Sequence, residues 1–166
     1  MRTPGAYLCT MASVIDERQA EIEEEFAMFG DWMEKYEHII SLGKELDPLD
    51  PEDKVDENLI KGCQSRVWLA AKRGDEGQVV FTADSDAIIT KGLAALMVRV
   101  LSDAPAADIA SAKLSFLDEI GLHSHLSPTR SNGLQSMVKQ MKLYGLAFTV
   151  DSVSYTHLTL PTILLV

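Results

Sequence analysis

Residues 60–83 read IKGCQSRVWLAAKRGDEGQVVFTA, and this stretch decides the fold. Two apolar runs, 67–71 and 78–83, lie on either side of a polar segment that contains two glycines. Short apolar runs separated by a glycine-containing turn are typical of a β-hairpin. The sequence therefore predicts two antiparallel strands, with Cys63 in the loop that leads into the first of them.

Cys63 lies inside the predicted folded region, whereas the second cysteine of the chain, Cys9, belongs to the N-terminal stretch. Gly62 permits a backbone turn with positive φ, and Lys61 and Arg66 place positive charge near the sulfur. We therefore expect a lowered pKa for Cys63 and a reactive thiolate at neutral pH. The alternative is that Cys63 is a small buried apolar residue, as free cysteines often are.

An apolar stripe with alternating spacings of four and three residues precedes the hairpin. Its members are Ile22, Phe26, Phe29, Met33, Tyr36 and Ile40. The stripe predicts two helices, about 14–30 and 31–43, with Asp31 as the N-cap of the second helix and Gly43 at its end. An acidic, proline-containing surface loop at 47–58 then leads to the Cys63 segment.

Acidic residues follow the hairpin directly. Asp84, Ser85 and Asp86 offer N-cap oxygens to a helix that ends near Leu101. The alternative is that these acids set the environment of Cys63 or meet a partner. Gly92 lies inside that helix, where glycine costs about 1 kcal/mol, so it indicates that another backbone comes close there.

The C-terminal third predicts two more helices. Pro105 opens a helix that runs to about Ile120, and residues 127–129 open the last one. His123 and His125 lie in the linker between these helices. Two histidines without a neighbouring cysteine or acid are too few for a zinc site, so we expect His125 to be partly buried and hydrogen-bonded.

Arg130 breaks a local rule, because a positive charge at the start of a helix opposes the helix dipole. Residues that break such rules are often held by another group. The sequence offers a salt bridge to Asp84 or Asp86, or an interaction with the sulfur of Cys63.

Composition restricts the class of protein. The chain has 166 residues, 46% of them hydrophobic, and a net charge of -10. We expect one domain at 14–150, an N-terminal extension at 1–13 and a non-native tail at 151–166. The negative charge argues against nucleic acid and against an anionic membrane as partners. Two cysteines cannot form a disulfide framework, and the sequence shows neither a signal peptide nor a membrane span, so we expect a cytoplasmic protein.

Four blocks of the sequence resemble the SufE family of sulfur-acceptor proteins. They follow the family's order and are WMEKYEHIISLG (32–43), KGCQSRVW (61–68), DSD (84–86) with KGL (91–93), and HLSPTRSNGL (125–134). The cysteine block is highly specific. The resemblance implies an α+β fold in which helices cover a small antiparallel sheet of about three strands, with the segment at 59–66 contributing. Iron-sulfur scaffold proteins of the IscU type share this arrangement.

The resemblance also implies a function for Cys63. In the family, a cysteine at this position takes persulfide sulfur from a SufS-type cysteine desulfurase, stimulates that enzyme, and passes the sulfur towards an iron-sulfur scaffold complex. The chain would then be a covalent carrier rather than an enzyme, with no cofactor of its own and pyridoxal phosphate in the partner. The residues expected to place the loop or dock the partner are Gly62, Gln64, Ser65, Arg66, Asp84, Asp86, His125 and Arg130.

Two other classes of function stay open at this stage. An iron-sulfur or metal scaffold would need about three thiolates and a histidine or carboxylate, and the predicted domain offers one thiol. A cysteine hydrolase would use Cys63 with His125 or His38 as the base, and it would need that histidine within hydrogen-bond reach.

Overall fold

A computed structural model of the protein describes the backbone of residues 13–153 and the side chains of 13–150. Residues 1–12 of the predicted extension and 154–166 of the predicted tail lie outside the described residues, whereas Ser13 lies within them. The described chain folds as α+β, as expected. Its elements are α1 (Val14–Ala27), α2 (Trp32–Glu45), β1 (Val67–Arg73), β2 (Val79–Ser85), α3 (Ile88–Leu101), α4 (Ala106–Ser111), α5 (Phe116–Glu119), α6 (Leu122–His125) and α7 (Pro128–Val153), with short 3-10 turns at Pro51–Asp53 and Asp56–Asn58.

The sheet has two antiparallel strands in the described chain, and its register runs from Val67 opposite Ser85 to Arg73 opposite Val79. The predicted third strand is reduced to one bridge between Leu59 and Trp68. Pairing stops there because the chain turns away at Gly62, whose φ is 92°. The hairpin was thus predicted correctly, and the segment at 59–66 contributes a loop rather than a full strand.

Local capping explains where the first two helices begin. Ser13 and Asp16 form a capping box at the start of α1, and the Asp31 side chain accepts a hydrogen bond from the Glu34 N–H at the start of α2.

The predicted apolar stripe is correct at Ile22 and Phe26, which are fully buried. It is wrong at Met33, which is 63% exposed, because the break between the helices rotates α2 relative to α1 and Ile39 fills the core instead.

Two glycines allow α2 and α3 to touch. A Cβ atom on Gly92 would overlap the Ile39 carbonyl oxygen, and one on Gly43 would lie 2.7 Å from the Gly92 nitrogen. The backbone contact predicted at Gly92 is therefore confirmed. The prediction that Gly43 ends α2 is wrong, because this buried glycine lies inside the helix as part of the crossing.

The predicted helix at 105–120 is instead broken into short pieces. Gln19 of α1 is buried, its side-chain N–H donates to the Lys113 carbonyl at 3.0 Å, and its Oε1 accepts from the Phe116 N–H at 3.3 Å. These bonds satisfy backbone groups that a continuous helix would have paired internally. The break thus depends on a side chain about 95 positions away, a contact that local propensity does not reveal.

The core lies between the inner face of the hairpin and the helices, with α3 at its centre. The buried residues of α3 pack against α2 and β2, and α7 packs against α4 and α3. Within 13–153, no helix combines the length and the apolar character that a bilayer crossing requires.

Candidate functional site

The loop at 61–66 places Cys63 against the first turns of α7. The sulfhydryl group is half-buried and lies 3.6 Å from the Gly133 carbonyl oxygen, to which it donates. A Cβ on Gly133 would come within 3.3 Å of the sulfur, and a Cβ on Gly62 within 2.8 Å of Ser136 Oγ. Loop and helix therefore pack closely because each of these two contacts has a glycine on one side.

A small cleft adjoins the Cys63 sulfur, with a volume of about 20 Å³. A cavity of this size holds about one water-sized atom. The cleft is bordered by the cysteine loop, α3 and α7, through Cys63, Gln64, Ser65, Thr90, Leu93, Thr129, Arg130, Gly133, Leu134 and Met137. Three residues predicted at the site, Gln64, Ser65 and Arg130, are thus brought together with the cysteine.

The resting environment of Cys63 favours the neutral thiol. Burial raises the pKa of the Cys63 thiol, because a less hydrated site disfavours the thiolate. Lys61 and Arg66 are both exposed, where water and salt screen their charges. The expectation of a lowered pKa is therefore wrong for this conformation, because desolvation outweighs the charges of the sequence neighbours.

The downstream end of the cysteine loop is fixed to the end of β2 by hydrogen bonds at Arg66. Its N–H donates to Asp86 Oδ1 at 3.1 Å, and its carbonyl accepts from the Asp86 N–H at 3.2 Å and from Ser85 Oγ at 2.8 Å. The prediction that these residues cap α3 is wrong, since Ala87 is the N-cap and has no side-chain hydrogen bond. Asp86 and Ser85 position the loop instead.

Asp84 is buried and makes two ion pairs. Its Oδ2 lies 2.9 Å from Lys54 Nζ, its Oδ1 lies 3.4 Å from Lys91 Nζ, and Oδ1 also accepts from the Ser85 N–H at 2.8 Å. Burial alone would raise the pKa of this carboxyl, but the Lys54 and Ser85 hydrogen bonds and the two ammonium charges together lower it. Lys54 also lies 5.2 Å above the centre of the Trp68 ring. The acidic loop before Cys63 is thus held against the sheet.

Arg130 lines the cleft beside Cys63, and its side chain is exposed. Of the alternatives, a salt bridge to Asp84 or Asp86 is wrong, because lysines hold the first acid and the Arg66 backbone engages the second. Within the described chain, the guanidinium has no salt-bridge partner. The arrangement leaves a positive charge at the edge of the cysteine cleft.

The two candidate histidines lie away from the cleft. His125 stacks on Trp32 with ring centroids 4.4 Å apart, its Nδ1 lies 2.9 Å from the Gly121 carbonyl oxygen, and it is exposed rather than partly buried. His38 packs against Phe26 and Phe29, and its Nε2 lies 3.5 Å from Glu25 Oε2. Neither histidine borders the Cys63 cleft, so neither is placed to act as a base for its thiol.

The cleft also contains residues that sequence reasoning did not assign to it. Thr90, Leu93, Gly133 and Met137 follow ordinary helical spacing and read as core or helix positions. A signal existed only at Gly133, since a glycine inside a helix indicates a close contact. Side chains 13–150 contain no group of three or more His, Cys, Asp or Glu residues that could hold a metal ion.

Comparisons with known proteins identify the family of the chain. The family model for SufE, described as an Fe-S metabolism associated domain, matches residues 20–144. SufE-like protein 1, chloroplastic/mitochondrial, of Arabidopsis thaliana is 41% identical over 139 residues, which are 82% of this chain and 38% of that protein. The chain thus spans about two fifths of the length of this curated relative. The solution structure of a hypothetical protein from Thermus thermophilus has the same fold, with a TM-score of 0.66 and 18% identity over 80% of this chain and 96% of that one. Since the family model covers most of the sequence, the chain belongs to the SufE family.

Proposed function

We propose that the protein is a sulfur carrier that accepts persulfide sulfur on Cys63 from a SufS-type cysteine desulfurase and passes it to an iron-sulfur scaffold complex. The observation that carries this proposal is the position of Cys63 in a short loop beside a cleft with room for about one more atom. Membership of a family associated with iron-sulfur metabolism supports it. Pyridoxal phosphate belongs to the partner enzyme, and the chain acts as a covalent carrier and activator of that enzyme.

The transfer is a thiol–persulfide exchange. Cys63 first gives up its proton, and its thiolate then attacks the outer sulfur of the donor persulfide. A new sulfur–sulfur bond forms on Cys63, the donor's own sulfur–sulfur bond breaks, and the inner donor sulfur leaves as a thiolate. One such bond replaces another, so the exchange needs no external oxidant or reductant.

The transfer requires two positions of the loop. In the cleft, the half-buried thiol has a raised pKa and is a poor nucleophile. Turning the loop towards solvent hydrates Cys63 and returns its pKa towards the ordinary value, so attack takes place in the outward position. After transfer, the cleft shelters the added sulfur from reductants, and Arg130 at its edge stabilises the negative charge of the persulfide.

The other residues predicted at the site shape the cysteine loop or attach it to the sheet. Gly62 supplies the bend with φ 92°, Gln64 and Ser65 border the cleft, and Arg66 is the attachment point for Asp86. The alternative functions lack such support among residues 13–150, where no histidine borders the Cys63 cleft and no metal-binding cluster is found. The cytoplasmic location stays a prediction, because the plant relative is named chloroplastic/mitochondrial.

The direct test is to incubate the protein with a cysteine desulfurase and L-cysteine and to measure intact and peptide masses without reductant. We expect one added sulfur on Cys63 and faster turnover of the desulfurase. Cys63→Ser should abolish both effects, whereas the matched variant Cys9→Ser should retain them. Full stimulation by Cys63→Ser, or an unmodified Cys63 with an active cognate desulfurase, would contradict the proposal.

A further inference from the structure

Helix α7 has a second apolar face that the described chain leaves open. Its first apolar face consists of Leu134, Met137 and Met141, which are buried in the core. Leu143 and Leu146 lie beyond that face on the helix circumference and are 47% and 52% exposed. A helix that is apolar on more than one side normally packs against more than one neighbour.

This open face is one wall of a groove with a volume of about 500 Å³. The opposite wall comes from Ala110 of α4, Leu117 of α5 and His123 of α6. The groove follows α7 from Leu134 to Leu146, a distance of roughly 18 Å at 1.5 Å per residue. It has the length of about three turns of a helix rather than the closed form of a small-molecule pocket.

A close helix contact joins two walls of the groove. A Cβ on Gly145 would lie 2.8 Å from Ile109 Cγ2 and 2.9 Å from the Ala110 nitrogen. Because Gly145 has no side chain, α7 packs closely against Ile109 and Ala110 of α4 at this point.

The charge at the groove is opposite to that of the protein. The chain carries a net charge of -10, yet Lys139 and Lys142 line the groove and, among the described residues, no acidic side chain does. Asp118 pairs with His123, which lines the groove, and its Oδ1 lies 3.4 Å from His123 Nε2. An occupant therefore needs apolar residues for the floor and negative charges for the lysines.

We propose that this groove binds an amphipathic helix of a partner protein, about three turns long, with an apolar stripe flanked by acidic residues. Helices bound in grooves are anchored by apolar side chains at spacings of three and four, and complementary charges fix their orientation. Leu134 borders both the groove and the Cys63 cleft, so the bound helix lies next to the cysteine loop. The proposal does not depend on sulfur transfer.

The test uses two stapled helical peptides of about 15 residues with the same leucine stripe, one flanked by glutamates and the other by lysines. Fluorescence anisotropy with the full chain measures their binding. We expect the acidic peptide to bind about tenfold more tightly than the basic one, as two partly exposed ion pairs would give. Lys139→Glu combined with Lys142→Glu should reverse this preference.

Leu146→Glu tests the apolar wall and should weaken binding of the acidic peptide at least about tenfold. Met33→Glu is the matched control, because Met33 is 63% exposed and lies outside the groove, and it should leave binding unchanged. Circular dichroism establishes that the variants fold. Equal binding of both peptides, no binding, no effect of the charge reversal, or capture only by vesicles of phosphatidylglycerol would overturn the proposal.

Discussion

Gly133→Ala should push the Cys63 thiol away from α7. The new methyl group would lie 3.3 Å from the sulfur, so that the sulfur must shift by a few tenths of an ångström, and 3.6 Å from Cys63 Cα, which is an ordinary contact distance. Overpacking costs about 1–3 kcal/mol, and alanine returns up to about 1 kcal/mol by its higher helix propensity. A net loss of roughly 0–2 kcal/mol leaves the fold intact, so the strain is relieved by the loop, which moves outward with the thiol.

The displaced thiol should be more reactive. Burial now raises the pKa of Cys63, and each unit by which that pKa falls increases the thiolate fraction about tenfold at neutral pH. We expect Ellman's reagent at pH 7 to react about three- to tenfold faster with Gly133→Ala than with the parent, both in a Cys9→Ser background. Persulfide formed on the variant should also be reduced sooner, because the methyl group occupies the cleft.

The control is Gly30→Ala, where the nearest atom to the new methyl group is Glu34 Oε2 at an ordinary 3.5 Å. This variant should react at the parent rate. An unchanged or slower reaction of Gly133→Ala, with an unfolding transition close to that of the parent, would refute the argument that contact with α7 suppresses the thiol.

Three further predictions concern two acids that hold the segments around Cys63 and one glycine at the crossing of α2 and α3. Asp86→Ala should remove the acceptor for the Arg66 N–H, lower stability by about 0.5–1.5 kcal/mol and accelerate thiol modification, as the same reagent would measure. Asp84→Asn should cost about 1–3 kcal/mol at pH 7 in urea unfolding. Because the folded-state pKa of Asp84 is lowered, its stabilisation is present above the unfolded pKa of about 4 and is lost as pH falls through the folded value, so the two unfolding curves should converge in acid. Gly92→Ala should lower the free energy of unfolding by about 2 kcal/mol or more in thermal or urea unfolding, while Gly30→Ala changes it by less than about 1 kcal/mol.

The sequence predicts those parts of the fold that leave a local signal. The hairpin follows from two apolar runs around a glycine-containing turn, and the start of α2 follows from Asp31. Gly92 is unfavourable inside a helix, so its presence predicts a neighbouring backbone, and in the structure that neighbour is Ile39 of α2. By contrast, Gln19 ends a helix far along the chain through tertiary hydrogen bonds, and no pattern near residue 113 records them.

The candidate site likewise has features that leave a local signal in the sequence and features that depend on tertiary contacts. The motif around Cys63 predicts a reactive residue, but the burial that raises the pKa of its thiol comes from tertiary packing, in which the sulfur contacts Gly133, 70 positions away. Asp84, Ser85 and Asp86 resemble a helix cap in sequence because Asp and Ser are favoured at N-cap positions. The structure shows instead that Asp84 pairs with Lys54 and that Asp86 accepts from the Arg66 N–H. Lys61 and Arg66 lie close to Cys63 in sequence, but both side chains are exposed, and burial raises the pKa of the Cys63 thiol.

The neck of the cysteine loop determines how it can open. The Ile60 N–H donates to the Val67 carbonyl at 2.8 Å, so the ends of the loop are tied together beneath Cys63. The hydrogen bonds at Ile60 and Arg66 hold the two ends of the loop together in the folded hairpin, so opening between them breaks the contacts that face α7. In hydrogen exchange, the amides at 61–65 should therefore exchange through a local, low-energy opening, while the Ile60 amide exchanges with the sheet. We therefore expect the hairpin to serve as a fixed hinge, on which the cysteine loop can open without unfolding of the domain.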